Sequence, residues 1–108
     1  MAAVHGSVFY LERMALPPGA RLTVQLADVS KADAAADVIA KETKLLTRQV
    51  PIPFSLSYDR KAIIESHTYV VQARIEVDGK LRFISTTSNL VITNGRPTTL
   101  DVRVSPVP

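Results

Sequence analysis

The side chains able to do covalent or acid–base chemistry are few and scattered. The chain of 108 residues has two histidines, His5 and His67, and no cysteine. A disulfide framework, a cysteine zinc site and a thiol nucleophile therefore have no raw material. Neither histidine has a partner at His-x-x-x-His spacing, so each reads as a surface imidazole near a strand start. Serine is common, yet no Gly-x-Ser-x-Gly elbow occurs, and the adjacency of Ser66 and His67 in a loop does not make a triad. The ten acidic residues include no pair set among apolar neighbours that would raise a catalytic pKa. Asp59 and Asp78 fall in turns, where a carboxylate usually caps the backbone. Four glycines spread over the chain make no phosphate loop. The residues predict no enzyme, no cofactor and no bound metal.

Charge narrows the partners further. Thirteen basic residues against ten acidic ones leave a net +3, with Arg60-Lys61 the densest basic pair. Without a basic stripe interleaved with exposed aromatics, nucleic-acid binding is not expected. No apolar run approaches the ~20 residues of a membrane span. The strand pattern already begins at Val4, so a targeting segment, if the protein is exported, is expected upstream of this sequence. At 46% hydrophobic and 21% charged, residues 1–108 read as one globular domain that buries a core without staples.

The elements that must position any surface are short strands. "VHGSVFYLER" (4–13) is apolar on both parities from Val8 to Leu11, as in a strand covered on both faces. Pro17-Pro18-Gly19 turns the chain, and 21–30 alternates with Leu22, Val24 and Leu26 inward. A helix over 30–48 is a fair local reading, but the flanking strands favour a turn at 31–36 and a strand near 37–46. In "VPIPFSLS" (50–57), Pro51 and Pro53 remove two N–H donors from one side only, which marks an edge strand closed to further pairing. Residues 58–67 read as a loop or a single helical turn with Ile63 or Ile64 tucked beneath. "TYVVQARIEV" (68–77) places Tyr69, Val71, Ala73, Ile75 and Val77 inward and Arg74 and Glu76 outward, in a cross-strand ion pair with Arg82. A three-residue hairpin with Gly79 as a bulge then leads to 81–85, keeping Leu81 and Phe83 on the face of Ile75. Strands at 90–93 and 99–104 finish the chain. Seven or eight short strands with turns between them predict an all-β antiparallel β-sandwich, immunoglobulin- or transthyretin-like.

One stretch stands out for binding. The pair Glu12-Arg13 precedes an apolar "MAL" at 14–16, and methionine suits adaptable contact surfaces. Glu12, Arg13 and Met14 are therefore the candidate protein-binding residues.

The combination of Gly6, Val8, Tyr10, Glu12, Arg13, Ala15, Leu16, Pro17 and Pro18 resembles the opening of the YbaY/YscW-type lipoprotein family. So do "ADVIA" (36–40), "VPIPFSLSYD" (50–59), "YVVQARIEVDGKLRF" (69–83) and "LVITNG" (90–95). The resemblance implies a small β-sandwich, lipid-anchored on the periplasmic side of an outer membrane through a cysteine absent from this sequence. For the secretion-associated branch it implies a pilotin, a chaperone whose partner is a secretin or another envelope protein. An alternative role, an envelope domain contacting polysaccharide or peptidoglycan, would need Tyr58 or Tyr69 on an open groove, against their inward parity.

Overall fold

The computed structural model describes residues 2–108. Its eight strands are β1 (Ala2–Phe9), β2 (Ala20–Asp28), β3 (Asp37–Leu45), β4 (Ile52–Tyr58), β5 (Tyr69–Val77), β6 (Lys80–Ser85), β7 (Asn89–Val91) and β8 (Thr99–Pro106). A 3-10 turn over Arg60–Ala62 follows β4, its start capped by the Asp59 carboxylate, which accepts from the Lys61 N–H at 2.9 Å.

The strands form one sheet in the order β3-β2-β5-β6-β8-β1-β4, with β7 paired to β5. This corrects the expected sandwich: the sheet curls until its two outermost strands meet, as a nearly closed barrel. Lys44 Nζ of β3 reaches the Pro53 carbonyl of β4 at 2.6 Å across the remaining seam. The sheet is also mixed. β1 runs antiparallel to β4 but parallel to β8, pairing His5–Phe9 with Thr99–Arg103. Gly6 is required there, since a Cβ on it would lie 1.6 Å from the Leu100 carbonyl oxygen.

Period-two alternation fills the barrel. Leu22, Val24 and Leu26 of β2, Tyr69, Val71 and Ile75 of β5, and Val102 and Val104 of β8 are fully or almost fully buried, with Ala73 and Val77 close behind. At roughly 1.5–3 kcal/mol per large apolar side chain, this interior is the main favourable term of folding. Residues 37–45 are strand, as the flanking pattern favoured, and Ile63 rather than Ile64 packs against the core.

Three local expectations are overturned. β1 ends at Phe9 and Leu11 is exposed, so the strand is not covered on both faces. The β5–β6 turn has two residues, Asp78 and Gly79, both with positive φ, the backbone that matches strand twist in a tight hairpin. Val77 pairs with Lys80, and an irregularity at Arg82 then restores Phe83 opposite Ile75 while Leu81 turns outward. Finally, Arg74 Nε meets Glu76 Oε1 at 3.2 Å within β5, not across strands.

β4 is an edge strand as expected, but it begins at Ile52, so Pro51 lies outside the ladder and Pro53 alone removes a donor from its open side. Among the described residues it pairs only with β1; Pro53 stands opposite Ser7 while Ile52 and Phe54 stand opposite Val8 and Gly6. β3 closes its own side differently. Lys44 and Glu42 stand opposite Leu22 and Val24, so both charges lie on the inner face at the seam, 3.6 Å apart.

Candidate protein-docking site

The registers divide the barrel into two ends. Loops 10–19 and 46–51 gather around the Asp78-Gly79 turn at one, the hairpin end. The start of β1 and loops 29–36, 59–68 and 92–98 gather at the other, the His67 end.

The three candidate residues lie in the loop that leaves β1 at the hairpin end, and this loop is held from both sides. The Tyr10 ring stacks on Phe83 with centroids 4.5 Å apart, worth about 0.5–1.5 kcal/mol beyond its burial. The Tyr10 hydroxyl donates to the Met14 carbonyl at 2.6 Å, and the Met14 N–H to the Glu12 carbonyl at 3.0 Å. Gln49 then clamps Leu16, accepting its N–H at 2.7 Å and donating to its carbonyl at 3.2 Å. The Leu16 side chain is buried.

What this fixed backbone displays is apolar. Leu11 is 62% exposed and Met14 52%, and Leu45 and Leu81 are exposed at the same end. Arg13 is exposed, while Glu12 is half-buried, with Oε1 turned inside and meeting no donor among the described residues. Burial, and after it the Glu12 charge, push the Tyr10 phenol above its ordinary value, so the hydroxyl stays a neutral donor. Leu11 was missed from sequence because the apolar run 8–11 continues through it without a break. An ordered loop that turns its largest apolar side chains to solvent would spare any partner part of the ordering cost of binding.

The His67 end is built around a network of polar bonds, although Arg96 Nη1 in loop 92–98 is buried there with no partner among the described residues. His67 Nδ1 lies 2.6 Å from Asp28 Oδ2, and the Ser30 N–H donates to Asp28 Oδ1 at 3.0 Å. Thr68 N–H donates to Ser30 Oγ, Thr93 to the His67 carbonyl, and Ile64 N–H to the Tyr69 hydroxyl. Burial alone would raise the Asp28 carboxyl, but the bonds from His67 and Ser30 outweigh it and hold the group below its ordinary value. Beside this network lies an open cavity of about 660 Å³ lined by Ala2, Tyr58, Ile63 and Ile92 with Arg60 and Glu65 at its rim. His5 lies on the same wall, its Nε2 3.2 Å from Thr99 Oγ1. Tyr58 and Tyr69 are both buried; Tyr58 lines the cavity but exposes only 6% of its surface there, little of the open ring face that a glycan-contacting role would need.

With this geometry in place, the likenesses to known proteins are specific. The family described as "Type III secretion system lipoprotein chaperone (YscW)" matches residues 1–104. A lipoprotein of Escherichia coli K12, YbaY, described as uncharacterized, is 38% identical over 105 residues, covering 96% of this chain. The chain spans only 55% of that relative's length. The solved structure of an alternative pilotin from the type II secretion system of Vibrio cholerae superposes with a TM-score of 0.95 at 49% identity. That match covers 99% of this chain and 97% of the pilotin.

Proposed function

The chain belongs to the YscW family of type III secretion system lipoprotein chaperones, and on that premise we propose that it is a pilotin-like chaperone. It is a non-enzymatic domain, lipid-anchored on the periplasmic side of the outer membrane, that binds a secretin subunit and escorts it there. The observation that carries this reading is the near full-length likeness to an alternative pilotin at 49% identity. The preorganised apolar loop at the hairpin end supports it, and Leu11, Glu12, Arg13 and Met14 are its contact residues.

Strand polarity gives the loop a sensible place. β1 begins at the His67 end and has eight residues, a rise of about 26 Å at strand geometry. A lipid anchor upstream of β1 would tether the His67 end to the membrane. Leu11 and Met14 would then point away from it, towards an arriving subunit.

The test is titration calorimetry of this domain with a soluble region of the source organism's secretin. Binding is expected, and Leu11→Ser with Met14→Ser should weaken it roughly 100-fold, the loss of two central apolar contacts. Because both side chains are exposed, the melting temperature should not move. No binding by the wild-type domain would sink the proposal.

A further inference from the structure

The exposed apolar pair sits in an unbalanced electrostatic setting. In the hairpin-end loops and the three terminal residues of each adjoining strand, six cations (Arg13, Arg21, Lys44, Arg48, Lys80 and Arg82) face three anions (Glu12, Glu76 and Asp78). The His67 end, counted the same way, has four cations against six anions. The excess at the hairpin end thus equals the whole net charge of the chain, +3.

Four of these cations flank the docking loop. Arg13 lies within it. The Tyr10–Phe83 stack sets the loop beside the start of β6, where Lys80 and Arg82 are exposed. The Gln49 clamp on Leu16 sets its other end beside exposed Arg48. None of the four joins an ion pair among the described residues. Lys44, by contrast, is engaged by Pro53 and Glu42.

Building on the docking role proposed above, we infer that the hairpin end receives an acid-flanked apolar segment: a short stretch of partner chain whose large apolar side chains cover Leu11 and Met14 while neighbouring Asp or Glu residues meet Arg13, Arg48, Lys80 and Arg82. Apolar contact supplies the anchor. Unpaired cations around it select against basic segments and speed encounter with acidic ones. The two kinds of group are needed together, because scattered lysines and arginines without an apolar centre would be only a solvated surface.

The probes are two labelled peptides of one length with the same leucine and phenylalanine anchors, one flanked by Asp and Glu, the other by Lys and Arg. Fluorescence anisotropy against the intact domain should show the acidic peptide binding at least tenfold tighter at about 50 mM salt, with the gap closing by about 500 mM. Lys80→Glu with Arg82→Glu, both at exposed side chains, should erase that preference. Leu11→Ser with Met14→Ser should abolish binding of both peptides. Equal binding of the two peptides, or an unmoved preference in the charge-reversed variant, overturns the inference. The secretin region separates the two proposals. If it binds the wild type and the charge-reversed variant equally, the acidic-partner assignment fails and the docking role stands. If the acidic peptide binds and the secretin region does not, the docking role fails and the surface assignment stands.

Discussion

The two ends of this barrel use similar means to opposite results. At the His67 end, side-chain bonds tie loops 29–36 and 59–68 together, and the bonded groups satisfy one another. At the hairpin end, Tyr10 and Gln49 fix loop 10–19 just as firmly. Yet Leu11 and Met14 emerge into solvent, with uncompensated cations around them. Of the exposed large apolar residues, Leu11, Met14, Leu45 and Leu81 belong to the hairpin end, Val38 and Ile64 to the His67 end, and Ile84 to the wall between them, opposite Arg74 and Ser105. Order alone therefore does not distinguish a structural loop from the recognition loop that we propose at the hairpin end. What distinguishes them is whether the ordered groups satisfy each other or leave surface for something else.

The strongest way to break the contrast is to break what joins the two ends. β1 runs from one to the other, and at Gly6 its backbone approaches the Leu100 carbonyl too closely for any side chain. Gly6→Ala puts a methyl group against backbone that cannot swing away. The expected result is a melting temperature lowered by more than about 10 °C, with both ends loosened together. Thermal unfolding checks the size, and hydrogen exchange checks that the loss is shared. A loss confined to one end would mean that the parallel β1–β8 pair does not couple them.

A smaller effect sharpens the contrast, because the two ends should fail at opposite extremes of pH. Asp28 is held below its ordinary 3.8, so its stabilising share is present above that value and is lost as pH falls through the lower folded value. Tyr10 is held above its ordinary 10.0, so its share is present below that value and is lost as pH rises through the higher folded one. Near neutrality, Asp28→Ala should cost about 1–3 kcal/mol and Tyr10→Phe about 1 kcal/mol. The gap between wild type and Asp28→Ala should close on acidification below 3.8. For Tyr10→Phe it should close on alkalinisation above 10.0. Thermal melts across pH decide it, and a gap that ignores pH would remove that residue from its assigned role.

The parts of this comparison were unequally legible in the sequence. Inward residues such as Tyr69, Val71, Ala73, Ile75 and Val77 announce themselves by period two, and Pro53 announces an edge through its missing N–H. Strand order does not, because the same alternation serves a sandwich and a closing barrel alike; parallel pairing of the first and last strands is a long-range fact. The hairpin misled because parity demanded an odd insertion. The molecule makes it at Arg82, inside β6, rather than in the turn. At the proposed docking loop, Glu12, Arg13 and Met14 were visible as charges beside an apolar run. Leu11 was not, since the strand stops before the alternation does, and the bond that arrests the chain, Tyr10 to Met14, has no periodic signature.

The seam carries the same lesson at its weakest. β3 and β4 lie close enough for a lysine to span them, yet Pro53 offers no donor and Lys44 occupies its carbonyl. Two guards, a missing N–H and a covering ammonium, protect one edge. Pro53→Thr alone restores a donor but leaves Lys44 over the carbonyl, so the variant should remain monomeric. Pro53→Thr with Lys44→Met bares both groups of an edge strand, the arrangement that invites pairing with a second copy. Sedimentation equilibrium should then find concentration-dependent dimers, with fold stability changed by less than about 1 kcal/mol. Dimers from Pro53→Thr alone would make the proline the sole guard and Lys44 only a tether. Monomers in both variants would mean that β3 itself shields the edge, so that the seam behaves as part of a continuous wall.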